Sequence, residues 1–177
     1  MYMSELNTTL GRHRAVGCIV GSAVGDALGA PFEFRPPGEY AATFTNPVHG
    51  GIGEMIGNHT WEPGQFTDDT EMGVIVAESL LERNGVDADD QLTRFRAWGK
   101  RAKDVGNLTR EVLGSSLPAA DAAADVIRRR NGHNTAGNGS IMRAAAGAVH
   151  FAECGRAKTV EAALHLSAVT HADPLCQ

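Results

Sequence analysis

The tetrapeptide Thr67-Asp68-Asp69-Thr70 stands directly ahead of small and apolar residues at helical spacing, namely Met72, Ile75, Val76, Ser79 and Leu80. This periodicity predicts a helix over residues 69–83 with the acidic pair at its N-terminus. Capping explains one carboxylate, because Asp68 can accept backbone N–H bonds while Glu71 closes a capping box. Capping assigns no role to Asp69, Thr67 or Thr70.

A metal site is the alternative interpretation of the same four residues. Hydroxyl and carboxylate oxygens packed together are the ligands that hard divalent cations such as Mg²⁺ or Mn²⁺ prefer. Taken alone, the tetrapeptide favours capping over metal binding. Motifs elsewhere in the chain reverse that preference.

Helical periodicity continues through the rest of the chain, and alternating strand patterns are nearly absent. Residues 31–66 hold five of the seven prolines and are predicted to be mainly loop. We expect an all-α fold, a compact multi-helix bundle, with a flexible lead over residues 1–9 and a single domain over residues 10–177. Further helices are predicted over residues 10–30, 88–103, 108–130 (with Pro118 kinking this segment or starting a new helix), 140–152 and 159–169.

Glycine recurs at every fourth position of the first predicted helix, at Gly17, Gly21, Gly25 and Gly29. This spacing places the four glycines on one helix face. Each glycine costs about 1 kcal/mol of helix stability relative to alanine. A face this smooth predicts that another helix backbone packs closely against it, so that Gly21→Leu would overpack the contact.

Composition argues against several classes of function. The chain has 177 residues, of which 42% are apolar, as in a globular domain with a core. A formal net charge of −5 argues against nucleic acid or an anionic membrane as a partner. Three cysteines fit neither a disulfide framework nor a zinc site, which favours a reduced, cytoplasmic setting. The apolar segment from Val16 to Leu28 is too short to span a membrane and carries Asp26.

The last residues include Asp173-Pro174-Leu175, an N-cap followed by proline at the first position of a new helix. This helix then lacks a body. We therefore expect the sequence to be the N-terminal portion of a longer domain, or to be completed by a complementary C-terminal chain.

Acidic side chains also cluster where the first predicted helix ends, in the stretch Gly25-Asp26-Ala27-Leu28-Gly29-Ala30-Pro31-Phe32-Glu33. A helix C-terminus repels carboxylates, so acids there indicate an external cause such as a cation. The alternative for Asp26 is a hydrogen-bonded structural role. Glu33 has an aromatic residue on either side, which would raise its pKa, and its alternative is an ordinary surface glutamate.

Two further stretches place small or polar residues at helix ends. In Lys103-Asp104-Val105-Gly106-Asn107, either Asp104 or Asn107 is a candidate helix cap. The stretch from Asn134 to Ser140 leads into a helix whose free N–H groups favour an anion such as phosphate, with a capped turn as the alternative. His171 follows a threonine, and a lone histidine is more often structural than catalytic.

Taken in order, these motifs resemble the ADP-ribosylglycohydrolase family, and within it the arginine-directed, dinitrogenase-reductase-activating-like branch. The resemblance implies an all-helical fold around a two-metal cleft in which ADP-ribose is removed from modified arginine. It covers most of the chain and rests on the stretches Gly25 to Glu33, Thr67 to Thr70, Lys103-Asp104-Val105-Gly106-Asn107-Leu108-Thr109-Arg110, Gly137-Asn138-Gly139-Ser140-Ile141-Met142-Arg143 and Thr170-His171.

The resemblance also implies roles for individual residues. Thr67, Asp68 and Asp69 match metal ligands of a centre with two divalent cations, usually Mg²⁺ or Mn²⁺. Glu33 and Asp68 match acids of the catalytic centre, and Asp104 matches an acid that faces the guanidinium of the substrate. The residues that match contacts to ADP-ribose are Asp104, Asn107, Asn138, Gly139, Ser140, Met142 and His171.

Two departures from the family's pattern matter. The family commonly has a second histidine two residues after the first, where this chain has Asp173. The family's second metal motif, Asp-x-Asp-Thr, belongs to its C-terminal half and lies beyond residue 177.

These residues predict metal-dependent hydrolysis of the N-glycosidic bond of ADP-ribosylated protein through an oxocarbenium-like state. One alternative is a catalytically incomplete protein of the same fold that binds ADP-ribose or has a structural role. Another is a hydrolase of a different ribosyl or nucleotide substrate. The expected partners are ADP-ribosylated protein or ADP-ribose, and neither nucleic acid nor a membrane.

Overall fold

The computed structural model describes residues 8–44 and 55–176. Within these ranges every regular element is a helix, which confirms the all-α prediction. Three short 3-10 helices are Ala30–Phe32, Ile141–Arg143 and Pro174–Cys176. The α-helices are α1 (Thr9–Gly29), α2 (Glu39–Thr43), α3 (Asp68–Arg83), α4 (Ala88–Gly99), α5 (Asn107–Leu113), α6 (Ala119–Arg129), α7 (Ala144–His150) and α8 (Arg156–Ala168).

Helix α1 begins inside the lead that was predicted over residues 1–9. The Oγ1 atom of Thr8 accepts a hydrogen bond from the N–H of Gly11 at 2.9 Å. This cap satisfies a donor that the first helical turn leaves without a partner, so the helix begins at Thr9. Residues 1–7 of the predicted lead lie outside the described residues.

Helix α3 is the central helix of the described structure and packs against α1, α4 and α7. Its buried stripe of Met72, Val76 and Leu80 has the spacing expected of a helix face toward a core. The helix ends at Arg83 because Asn84 adopts the left-handed conformation, with a φ of 54°. The predicted range of 69–83 is therefore correct to one residue.

The later helices follow the predicted order with different bounds. The stretch 108–130 is two helices, because the chain leaves α5 at Gly114 and Pro118 occupies the N-cap position of α6. Helix α4 ends at Gly99 rather than at residue 103, and α8 begins at Arg156 rather than at residue 159. The stretch 140–152 starts as a 3-10 turn before α7 begins at Ala144.

The main hydrophobic cluster of the described residues is built by α3 to α8, and the buried Ala27 of α1 lies outside it. Phe95 of α4 is fully buried in this cluster. The guanidinium of Arg143 lies over its ring, 4.8 Å from the ring centroid. The Nη2 atom of Arg143 donates to the carbonyl of Leu166 at 3.1 Å and to Oγ1 of Thr170 at 2.8 Å. This buried cation therefore ties the 3-10 turn before α7 to the end of α8.

Asp90 ties α4 to α3. Its carboxylate accepts hydrogen bonds at 2.7 Å from Ser79 Oγ, Arg83 Nη2 and Arg94 Nε. These bonds, above all the one from Arg83, hold the pKa of Asp90 well below its ordinary value. The C-terminal half of α3 is thus fixed, and its N-terminal end presents the acidic pair.

Among the described residues, helix α1 packs against α3 and α7, and much of its remaining surface is exposed. Val16, Val20 and Val24 are 59%, 53% and 41% exposed. A Cβ atom built on any glycine of the four-residue repeat would meet no other heavy atom within 4 Å among the described residues. The predicted close approach of a second helix backbone is therefore wrong for this part of the chain. Within residues 8–44 and 55–176, nothing packs against the glycine stripe.

Residues Thr9–Phe32 form one segment that is long and apolar enough to cross a membrane, by length and composition alone. The prediction that the apolar segment is too short to span a membrane is therefore wrong, because the helical segment extends beyond Val16 to Leu28 at both ends. The segment contains 24 residues, and a core helix of a globular protein can meet the same criterion. Hydrogen bonds that Asp26 accepts from the start of α3 tie this segment to the other helices.

Candidate active site

Asp26, near the end of α1, caps the N-terminus of α3. Its Oδ2 atom accepts the backbone N–H groups of Thr67 at 2.9 Å and Thr70 at 3.1 Å, and also the Thr70 hydroxyl at 2.6 Å. Its Oδ1 atom accepts the Thr67 hydroxyl at 2.8 Å. A carboxylate at this point satisfies helix donors and faces the positive end of the helix dipole. Asp26 therefore has the hydrogen-bonded structural role that was one of its two interpretations.

Thr67, and not Asp68, is the N-cap of α3. Its Oγ1 atom accepts the N–H of Asp69 at 3.3 Å. The predicted capping box is also wrong, because Glu71 accepts the indole N–H of Trp98 instead. The prediction from local spacing failed here because the second capping side chain is Asp26, which lies 41 residues upstream of Thr67. Asp68 and Asp69 thus occupy the first helical turn without being its cap.

The first turn of α3 belongs to a cluster of carboxylates that influence one another. Burial, followed by the charges of Asp104 and Asp69, raises the pKa of Asp68 to about 6, against smaller opposing effects of backbone N–H groups. Burial, followed by the charges of Asp26, Glu33 and Asp104, raises the pKa of Asp69 to about 6. The structure therefore brings the three predicted catalytic acids together with the predicted metal ligands.

Glu33 lies in the turn after the 3-10 helix Ala30–Phe32. Burial raises its pKa first, and the charges of Asp104, Asp68 and Asp26 raise it further. The direction of the shift agrees with the prediction, although flanking aromatic residues are an incomplete cause. Phe34 is 95% exposed, and three carboxylates add to the effect of burial.

This acid cluster, defined as Asp26, Glu33, Asp68, Asp69 and Asp104, carries no balancing cation within residues 8–44 and 55–176. The charges that shift the pKa values of Glu33, Asp68 and Asp69 all come from other carboxylates. Negative charges held together in this way repel one another and favour their protonated forms. A bound cation would relieve the repulsion.

The oxygens of the acid cluster fit a hard divalent cation such as Mg²⁺ or Mn²⁺. Asp68 and Asp69 offer carboxylate oxygens from adjacent positions. The Thr67 hydroxyl donates to Asp26 and accepts from Asp69, which leaves one lone pair for a metal. In the described part of the chain no three acidic, histidine or cysteine side chains converge on one ion position. Water or further residues would have to complete the coordination shell.

A second group of predicted residues meets at the start of α5. Asn107 is the first residue of this helix. The loop of residues 137–140 lies beside it, because a Cβ atom on Gly139 would lie 3.6 Å from Oγ1 of Thr109. The same atom would lie 3.1 Å from Cε1 of His171. The structure thus brings the first turn of α5, the glycine-rich loop and the histidine into contact.

His171 is buried and neutral at pH 7. Burial, followed by the charge of Arg143, lowers its pKa to about 4. Thr170 Oγ1 accepts from Arg143 at 2.8 Å and shares a second hydrogen bond of 2.8 Å with Nδ1 of His171. The other ring nitrogen, Nε2, lies against the loop at Gly137 and Gly139.

The other residues that were predicted to contact ADP-ribose differ in their exposure and packing around the start of α5. Gly106 occupies the N-cap position of α5, so neither Asp104 nor Asn107 has that role. Asn107 and Asn138 are exposed, and Ser140 is half-buried just before the 3-10 helix. Met142 packs against the core and lines a groove between α1, α3 and α7.

Asp173 stands where the resemblance would place a second histidine, and its contacts are structural. Its Oδ2 atom accepts the hydroxyl of Thr135, and its Oδ1 atom accepts the N–H of Leu175 at 3.0 Å. The expected new helix at this point is a 3-10 turn over Pro174–Cys176. Asp173 thereby ties the residues after His171 to the loop that carries Gly137.

Comparison with known proteins identifies the family of this chain. The model of the ADP-ribosylglycohydrolase family matches residues 7–177. This chain belongs to the ADP-ribosylglycohydrolase family. A solved structure described as an ADP-ribosylglycohydrolase-related protein complex is similar to it with a TM-score of 0.63 and 32% sequence identity. The match covers 92% of this chain and 50% of that chain.

Two curated relatives are similar to this chain in sequence. The chain is 37% identical over 134 residues to the ADP-ribosyl-(dinitrogen reductase) glycohydrolase of Rhodospirillum rubrum, which covers 73% of this chain and 42% of that protein. It is 31% identical over 142 residues to an ADP-ribosylarginine hydrolase of Serratia proteamaculans, which covers 75% of this chain and 35% of that protein. The chain thus spans less than half the length of these relatives.

Proposed function

We propose that this chain forms part of a metal-dependent hydrolase that cleaves the N-glycosidic bond of ADP-ribosylated protein and releases ADP-ribose. ADP-ribosyl-arginine is the proposed substrate. Membership of the family supports the reaction. The name of the Serratia relative, which refers to ADP-ribosylarginine, supports the choice of linkage.

The observation that carries this proposal is the position of Asp68 and Asp69. Asp26 and Thr67 cap α3, so the two adjacent carboxylates are not needed as its cap. Both have raised pKa values that arise from burial and from other carboxylates. Such a cluster is suited to a cation and costs free energy without one.

Thr67, Asp68 and Asp69 would hold metal in a centre of two divalent cations, Mg²⁺ or Mn²⁺. When bound, such ions orient ribose hydroxyls and supply activated water. Asp26 keeps the three residues in place, because it fixes both the backbone and the hydroxyls at the start of α3.

Glu33 is the proposed general base. Its raised pKa brings the carboxyl group closer to the working pH, which improves proton transfer from a water molecule that attacks the anomeric carbon. Asp104 is the proposed partner of the leaving guanidinium, because a carboxylate can accept two parallel N–H bonds from that group.

The junction at the start of α5 is the proposed site of the ADP-ribose moiety. His171 would contact the ligand through Nε2, which lies against the loop at Gly137 and Gly139. Backbone N–H groups of the loop would face the diphosphate. The proposed contacts are Asp104, Asn107, Asn138, Gly139, Ser140, Met142 and His171.

A complementary polypeptide is part of this proposal, either on the same chain or on a separate one. The apolar groove between α1, α3 and α7 has a volume of about 440 Å³ and is lined by Val20, Ala27 and Val74 among other residues. Exposed apolar surface of this kind favours a covering partner. We further propose a cytoplasmic location, in line with the free Cys18, Cys154 and Cys176.

Two measurements test the proposal. Binding of Mn²⁺ is followed by electron paramagnetic resonance, and release of ADP-ribose from ADP-ribosyl-arginine is followed by chromatography. Residues 1–177 are assayed alone and together with a polypeptide that supplies the second half of the family domain. We expect weak Mn²⁺ binding and no turnover alone, and turnover with the complementary polypeptide present.

Other outcomes would assign a different function. Binding of ADP-ribose without turnover in either preparation would identify a catalytically incomplete binding protein. Turnover of another ribosyl or nucleotide substrate, without turnover of ADP-ribosyl-arginine, would support a hydrolase function. It would refute ADP-ribosyl-arginine as the substrate.

A further inference from the structure

The loop of residues 57–65 lies between the segment that carries Glu33 and the segment that carries Asp104. At one end, the Asn58 side chain donates from Nδ2 to the carbonyl of Pro31 at 3.3 Å. Pro31 belongs to the 3-10 helix that leads directly into Glu33. The Asn58 Oδ1 atom also accepts the N–H groups of Thr60 at 2.7 Å and Trp61 at 2.8 Å.

Lys103 holds the other end of this loop. Its ammonium donates to the carbonyl of Thr60 and to Oε1 of Gln65, the latter at 3.1 Å. The Nζ atom also lies 4.4 Å from the centroid of the Trp61 ring, which is within the range of a cation–π interaction. Lys103 is covalently joined to Asp104, so its contacts act directly on the segment that carries this carboxylate.

The loop between the two ends is tightly packed. A Cβ atom on Gly57 would lie 2.6 Å from the carbonyl oxygen of Trp61 and 2.8 Å from Cδ of Pro63. Both atoms belong to the backbone or to a rigid ring, so neither can move aside easily. Trp61 is only 6% exposed. The loop can therefore transmit a restraint from one end to the other.

A restraint is needed because the segments that it joins repel each other. Glu33 and Asp104 both carry carboxylates, and the charge of Asp104 is among the influences on Glu33. Within the described ranges, Lys103 forms no ion pair with any carboxylate of the acid cluster. Its ammonium is directed to the loop instead.

We propose that Lys103 is a positioning residue, which acts through Trp61 and Asn58 to hold the segments of Asp104 and Glu33 beside the acidic pair of α3. This inference rests on the proposed function, since it describes how the same site keeps its shape. The brace, defined as Asn58, Trp61 and Lys103, opposes the separation of carboxylates that electrostatic repulsion favours.

The experiment compares Lys103→Met, which keeps the aliphatic stem, with Lys103→Arg, which keeps the cation. Lys100→Met is the matched control, because Lys100 lies on the same end of α4 and lines a different cleft. Hydrogen exchange of the backbone over residues 104–107 and 57–65 is measured by mass spectrometry. Affinity for Mn²⁺ alone is measured on the same samples.

We expect Lys103→Met to accelerate exchange in both segments and to weaken Mn²⁺ binding by about tenfold, as loss of an outer support commonly does. Lys103→Arg should restore most of both properties, and Lys100→Met should resemble the unaltered protein. Asn58→Ala, at the opposite end of the brace, should reproduce the Lys103→Met phenotype without altering any charge.

The two proposals fail separately. If the unaltered protein binds no Mn²⁺, the metal-dependent function is overturned, whereas the brace is still judged by hydrogen exchange. Unchanged exchange over residues 104–107 in Lys103→Met would refute the brace. Faster exchange there with unaltered Mn²⁺ affinity would equally refute the positioning role, because the acid cluster would not depend on the loop.

Discussion

One carboxylate oxygen of Asp26 accepts both the backbone N–H and the hydroxyl of Thr70, at 3.1 and 2.6 Å. The cap of α3 is thereby supplied by another helix rather than by the adjacent chain. Because the same oxygen also accepts the N–H of Thr67, the direction in which α3 starts depends on where α1 ends. The candidate site depends on this contact between two helices.

Asp26→Asn should destabilise the fold and weaken metal binding. An amide has one acceptor oxygen, so its nitrogen would face donors that the second carboxylate oxygen now satisfies. Loss of charged hydrogen bonds of this kind should cost about 2–4 kcal/mol in the free energy of unfolding, measured with urea. Asp121→Asn is the control, because Asp121 is exposed on α6. Equal stability of the two variants would contradict the capping role.

The double variant Asp68→Ala and Asp69→Ala should lose Mn²⁺ binding while it keeps its fold. Thr67 and Asp26 cap the helix, so removal of the two carboxylates leaves the cap intact. Addition of Mn²⁺ should raise the melting temperature of the unaltered protein and leave that of the variant unchanged. A variant that still binds Mn²⁺ with native affinity would exclude these carboxylates as ligands.

Asp104→Ala should separate binding from catalysis. If Asp104 holds the guanidinium, its loss should reduce cleavage of ADP-ribosyl-arginine by about 100-fold or more, since a charge-assisted bidentate contact is removed. Binding of ADP-ribose should persist through the junction at α5. The two are measured by chromatography and by calorimetry in the assembled protein. Parallel loss of both would point to a structural role instead.

His171→Gln should change how stability depends on pH. The pKa of His171 is lowered to about 4 in the folded protein, whereas an unfolded histidine has an ordinary value near 6.5. The unfolded state therefore binds a proton first as the pH falls from 6.5 to 4. This linkage should remove roughly 3 kcal/mol of stability over that range.

The measurement for His171 is urea denaturation at several pH values between 4 and 7. The stability difference between the unaltered protein and His171→Gln should grow toward neutral pH and shrink toward pH 4. His13→Gln provides the control, because His13 is exposed on α1. A pH-independent difference would mean that the imidazole is not held neutral by its surroundings.

Gly21→Ala and Gly147→Ala should have opposite effects. A Cβ atom on Gly21 meets nothing within 4 Å, so the variant should gain roughly 0.5–1 kcal/mol of helix propensity. A Cβ atom on Gly147 would lie 2.5 Å from Cδ1 of the buried Leu166, so overpacking should cost about 1–3 kcal/mol. Thermal melting distinguishes them, and destabilisation by Gly21→Ala would reveal a close partner for the stripe.

The sequence was sufficient for those features that depend on local spacing. Helix α3 was predicted to within one residue because Met72, Val76 and Leu80 repeat along one helical face. The order of motifs also identified the family. The expected proximity of Glu33, Asp68 and Asp104 followed from that resemblance and not from any local pattern.

Features that depend on distant contacts were missed or misread. The bond of Trp98 to Glu71 joins residues 27 positions apart, and the bond of Lys103 to Thr60 joins residues 43 apart. Neither separation has a periodic signature. The glycine stripe was misread because spacing reports which residues share a face, but says nothing about what lies opposite that face.

Helix α1 lies outside the main hydrophobic cluster of the described residues, which separates the stability of the fold from the integrity of the site. Helices that share a core unfold together, whereas a helix that packs largely outside it can open on its own as a smaller cooperative unit. When α1 detaches, Asp26 leaves Thr67 and Thr70, and the acidic pair loses its alignment while α3 to α8 stay folded. Loss of activity on mild heating or in low denaturant should then precede global unfolding. The far-ultraviolet circular dichroism spectrum should not reveal this loss, because most helices remain folded.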